Sequence, residues 1–133
     1  MKQQNGKRLR KPGWGFTLIE LMVVMSIIAL LISIAVPRYF QSIDNAKEAT
    51  LKHSLSVMRE AIDKFYGDNQ RYPASIEELV ARKYLRAVPP DPITDTAQSW
   101  IIITPDAETA GGVYDVKSGA PGLAKDGTPY AEW

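Results

Sequence analysis

The sequence predicts an α+β fold: one long N-terminal helix, a short second helix and a small antiparallel sheet against the distal half of the first. Three observations carry that expectation. An apolar run interrupted by one acid fills residues 16–36 of a 133-residue chain. An apolar stripe at helical spacing follows between Leu51 and Phe65. Two short stretches of strand character, 100–104 and 112–116, come late in the chain.

The elements can be taken in order. Residues 1–15 carry five cations (Lys2, Lys7, Arg8, Arg10, Lys11) and no acid, whereas residues 16–133 carry 11 basic and 15 acidic residues, a net charge of −4. Positive charges beside an apolar segment stay cytoplasmic, so the acidic remainder is expected to cross the membrane. Because the cations belong to the leader, they lend little support to nucleic-acid binding. The 21-residue run makes a helix of about 31 Å, enough to span a bilayer core. It exceeds the roughly 7–15 residues of an ordinary signal-peptide core. Glu20 is the single charge inside it. A carboxylate at membrane depth costs roughly 2.5–3.5 kcal/mol on insertion scales, so segments that carry one usually use it. Gly15, a small residue between the cations and the run, fits a peptidase site.

Pro37 closes the run, removing one helix hydrogen bond and either kinking or stopping the helix. Beyond it, residues 38–66 read as an amphipathic continuation. Leu51, Leu55, Met58, Ile62 and Phe65 form one stripe, and charged residues occupy much of the other face. Gly67 with Asp68 and Asn69 is the expected helix stop. A second helix is signalled by Ser75, Glu77 and Glu78, with Ser75 placed to accept from the Glu78 amide. Its apolar face is Ile76, Leu79 and Val80. The segment 88–92, V-P-P-D-P, cannot be helical and reads as a rigid loop. The strands 100–104 and 112–116 are joined by an expected hairpin loop over 105–111. A lone hairpin is marginal, so both strands should pack across the helix stripe. The tail from Ser118 is rich in Gly and Pro, yet Tyr130 and Trp133 suggest docking rather than disorder.

Several chemistries are ruled out by composition. The chain has no cysteine and one histidine, His53, so nucleophile–base pairs and zinc sets are unavailable. His53 sits among polar helix positions and is expected at the surface. Glu77 and Glu78 are adjacent and do not converge on one substrate. Asp91, flanked by prolines, is expected to fix its loop. No glycine-rich phosphate loop is present, and an enzyme is not expected.

The motif G-F-T-L-I-E-L-M-V-V at 15–24 is similar to the processing and methylation motif of type IV pilins and type II secretion pseudopilins. That resemblance implies a pilin-like fold with a membrane-spanning first half of its long helix. It implies cleavage by a prepilin peptidase between Gly15 and Phe16, N-methylation of Phe16, and assembly through the helix with Glu20 and Pro37 as assembly residues. Glu20 would then pair with the new amine of a neighbouring subunit. The implied domains are a cleaved leader over 1–15, a transmembrane assembly helix over 16–37 and a periplasmic domain over 38–133.

A second match, F-Y-G-D-N-Q-R-Y-P at 65–73, resembles the G-type major pseudopilins, as do P-P-D-P at 89–92 and G-V-Y-D-V-K-S-G at 112–119. The implied partners are the prepilin peptidase, further copies of the chain, minor pseudopilins and an inner-membrane assembly platform. The implied location is the bacterial inner membrane and a periplasmic pseudopilus. The chain departs from that pattern after Pro92, where Ile93, Thr94 and Asp95 stand. It also departs in the final loop, where the family gathers acids around calcium. After Ser118 only Asp126 and Glu132 remain, with Asp115 as a further calcium candidate. Calcium wants six to eight oxygens, so aromatic docking in place of a metal loop is the expectation. Many type IV pilins pin their C-terminal loop with a cysteine pair, and this chain must use another device or packing alone. The alternatives are a type IV pilus or DNA-uptake pilin, and a signal-anchored domain that never polymerises.

Overall fold

The computed structural model describes residues 15–105 and 111–133, together with Lys2, Gly6 and Gly13. The expected leader cations Lys7, Arg8, Arg10 and Lys11, and residues 106–110 of the expected hairpin loop, lie outside the described residues. The chain divides into two compact units, Met1–Tyr39 and Phe40–Trp133.

Helix α1 runs from Leu18 to Asn69, 52 residues, and continues through Pro37. Its apolar first part is long and apolar enough to cross a membrane and has no side chain buried within the protein. Ser26 and Ser33 sit there without an unmet polar group, because each hydroxyl donates to a carbonyl one turn back, Met22 O and Ala29 O, at 2.8 and 2.9 Å. Such back-bonding lets serine reside in an apolar helix. The helix ends at Asn69, within the expected 67–69 stop. Gly67 stays helical, and Gln70 takes the left-handed conformation at φ 55°. The Asn69 amide caps Phe65 O at 3.0 Å. Glycine inside a helix costs roughly 0.5–1 kcal/mol against alanine, which this side-chain capping and the buried Phe65 below it offset.

In the second unit, Leu51, Leu55, Met58, Ile62 and Phe65 are all essentially inaccessible. They share a core with Ile76, Leu79, Leu85, Trp100, Val113 and Val116. Each such side chain contributes about 1.5–3 kcal/mol of burial. Helix α2, Ile76–Ala81, starts where expected, with Glu78 N donating to Ser75 Oγ at 3.3 Å. Glu78 reaches back one residue further than a simple capping box, accepting from Ala74 N at 2.6 Å and pairing with Arg71 at 2.7 Å. The Arg71 hydrogen bond, then the Ala74 amide, hold the Glu78 carboxyl below its ordinary range. A depressed carboxyl adds stability above its unfolded value, about 4.3, and loses it as pH falls through the folded value. We therefore expect Glu78→Gln to lower the melting temperature at pH 6–7, and the gap to close on acidification toward pH 3.

Strands β1 (Trp100–Ile103) and β2 (Asp115–Ser118) pair antiparallel, with Trp100 opposite Ser118 and Ile103 opposite Asp115. This corrects the expected second strand at 112–116. The Val113 amide bonds Pro73 O at 2.7 Å, and Gly112 lies at φ 120°. The regular ladder therefore begins only at Asp115. Asp91 is fully buried and locks the proline loop to the end of β2. It accepts from Ser118 Oγ at 2.5 Å and from Ile93 N at 2.8 Å. Beside it, Gly119 packs so closely that a Cβ would lie 2.0 Å from Ser99 O.

The tail is docked. Tyr130 and Trp133 pack against the core, their rings T-shaped at 5.3 Å, with the Lys52 ammonium 4.6 Å over Trp133. A one-turn 3₁₀ helix, Tyr130–Glu132, carries them. From α1, Arg59 donates to Asp115 Oδ1 at 2.8 Å, to Val116 O at 3.0 Å and to Trp133 O. In a chain without cysteine, this guanidinium joins helix, sheet and tail.

Candidate functional site

Gly15, Phe16 and Glu20 come together at the start of α1. Gly13 to Thr17 are non-helical where described, and the Gly15 amide bonds Gly13 O at 2.9 Å. Phe16 is 93% exposed, and nothing approaches the space where a Gly15 side chain would project. The Gly15–Phe16 peptide is thus an open, irregular bond two residues ahead of a helix.

Helix formation strands the first four amides of α1. Thr17 and Glu20 satisfy two of them reciprocally. Thr17 N donates to Glu20 Oε2 at 3.0 Å, and Glu20 N donates to Thr17 Oγ1 at 3.2 Å. This is a capping box, T-x-x-E. Sequence reasoning recognised the same pattern at Ser75–Glu78 but missed it here, because Glu20 drew attention as a charge at membrane depth. Its carboxylate therefore has a local role besides any role toward a neighbour. Pro37 lies in mid-helix, 17 positions on from Glu20.

The calcium candidates do not form a site. Asp115 is held by Arg59 at 2.8 Å and also caps its own strand at Val116 N, 2.8 Å. Asp126 accepts from Thr128 N and Thr128 Oγ1 at 3.0 and 2.6 Å. These Thr128 bonds keep the Asp126 carboxyl below its ordinary range. Among the described residues no three Asp, Glu or His side chains converge on a point. A guanidinium on one candidate and a threonine turn on the other do not fit a cation that needs six or more oxygens. His53 is exposed on α1.

Comparison with known proteins agrees with this geometry. The prokaryotic N-terminal methylation motif matches residues 15–36. The chain is 34% identical over 82 residues to type II secretion system core protein G of Klebsiella michiganensis, covering 62% of this chain and 58% of that protein. It is 32% identical over 99 residues to the core protein G of Pseudomonas aeruginosa, covering 62% of this chain and 70% of that one. The fimbrial protein EcpC of Eikenella corrodens is 30% identical over 128 residues, covering 90% and 81%. No solved structure matches. An apolar helix with an acid one turn in, leading to a small α+β unit, defines a membrane-anchored protein of the type IV pilin-like class. Within that class the chain belongs to the family of type II secretion system core protein G, the G-type pseudopilins.

Proposed function

We propose that this chain is the structural subunit of a type II secretion pseudopilus and has no catalytic role of its own. A prepilin peptidase cuts between Gly15 and Phe16, the new amine of Phe16 is methylated, and the subunits polymerise through their N-terminal helices to drive protein export. The chain is inserted once in the inner membrane with residues 38–133 in the periplasm. It works with minor pseudopilins and an assembly platform. The observation that carries this reading is the open Gly15–Phe16 bond one turn ahead of Glu20, the one charge in the apolar stretch 16–36 that opens the helix. Cleavage creates an ammonium, and Glu20 supplies the opposite charge in the same low-dielectric layer. Apolar helices leaving lipid for a protein bundle change little apolar area, so assembly rests on packing and charge pairing.

The test is the intact mass of the protein recovered from its native membrane. We expect the mass of residues 16–133 plus one methyl group. A full-length mass would make the chain a signal-anchored domain. The likeness to EcpC over 90% of this chain favours a second reading, a surface pilus subunit. Deletion separates the two: loss of a secreted enzyme supports the pseudopilus, and loss of sheared extracellular filaments supports the pilus.

A further inference from the structure

The apolar core beneath α1 begins only at Leu51, yet the second compact unit begins at Phe40. Residues 41–50 therefore belong to that unit without contributing to its core. Only Ile43 and Glu48 among them are partly covered. Among the described residues, their side-chain hydrogen bonds beyond the helix converge on one loop near the end of the chain. Glu48 Oε1 accepts from Lys125 N at 2.8 Å and from Tyr130 Oη at 3.0 Å. One turn earlier, Asn45 Oδ1 accepts from Lys125 Nζ at 3.1 Å. The loop is itself braced, by the Ala124 N to Thr128 O bond at 2.7 Å and the bridge between Leu123 and Pro129. Burial first, and then the Glu48 bond, push the Tyr130 phenol above its ordinary range, so it stays a donor.

We propose that the 123–130 loop is a strap, clasped by Glu48 and Asn45, that sets how firmly the second unit holds residues 41–50 of α1. With the clasp made, the helix is held from about Asn45 onward. With it open, the helix is held only from Leu51, where side chains enter the core, so this hold starts nearly two turns later. A strap of this kind is a joint adjuster. It leaves the core intact and changes only how readily residues 41–50 open. The inference stands on these contacts and does not depend on the assembly reading.

Hydrogen exchange on the full chain in detergent micelles tests it, with Glu48→Ala and Tyr130→Phe as variants. Loss of both Glu48 bonds is expected to speed exchange of amides 41–50 and of Lys125 by about tenfold, with amides 51–65 unchanged. Tyr130→Phe removes one bond and keeps ring packing, so it remains informative should Glu48→Ala misfold. It is expected to speed the same amides by about threefold. Unchanged exchange over 41–50 in Tyr130→Phe, or equal acceleration through 51–65 in both variants, would overturn the proposal.

Discussion

Glu20→Gln is expected to abolish filament formation while leaving helix α1 intact. The two effects separate because glutamine serves as well as glutamate at the third position of a capping box. The Thr17 amide keeps an acceptor, and the helix start survives. What disappears is the negative charge. An assembled neighbour would then bury the Phe16 ammonium with no counter-charge, and breaking one side of a buried pair costs about 3–5 kcal/mol. That lowers the affinity of each added subunit by roughly a hundredfold or more. Thr17→Ala is the complementary control, since it removes the cap and retains the charge. The check is the yield of cross-linked multimers from native membranes, alongside the mass of the processed subunit. Normal multimer yield with Glu20→Gln would show that Glu20 acts only as a cap.

Asp91→Ala is expected to give the largest loss of stability in the second unit. Asp91 is fully buried, and its two oxygens receive the Ser118 hydroxyl and the Ile93 amide. Alanine leaves both donors unpaired, at about 1–3 kcal/mol each. In a unit of this size that lowers the melting temperature by roughly 10–25 °C. Asp91→Asn keeps one good acceptor and should lose about half as much. Trp100 reports the transition, since its indole N–H bonds Pro89 O at 2.8 Å, two residues from Asp91. An unchanged melting temperature in Asp91→Ala would mean that the proline loop is held by its neighbours alone.

What was legible in the sequence follows the range of the interactions. The 51–65 stripe and the Ser75 cap are set within one or two helical turns, and both stand where periodicity and residue type placed them. That Asp91 fixes its loop was readable from its prolines. Its partner Ser118, 27 residues on, left no local signal. Arg59 and Glu48 looked like solvated charges on a helix face, and only the second strand and the returning tail give them partners. The second strand was misplaced because apolar alternation at 112–116 does not reveal that the Val113 amide is already committed to Pro73. The stop expected over 67–69 holds, with the end at Asn69 rather than at Gly67 itself, because glycine permits a helix end but does not force one. At the N-terminal end, the motif at 15–20 carried the expectation of a processing site, while the reciprocal bonds of Thr17 and Glu20 needed coordinates.

Those bonds have a consequence for the maturation step. Both groups that cap α1 lie downstream of the Gly15–Phe16 bond, and the helix begins at Leu18. Scission there would remove no donor or acceptor on which the helix depends. The peptidase would neither unwind structure nor release strain, and the product would inherit its shape unchanged from the precursor. Maturation would then be a switch in electrostatics at constant conformation: a neutral peptide becomes a cation while every helical hydrogen bond persists.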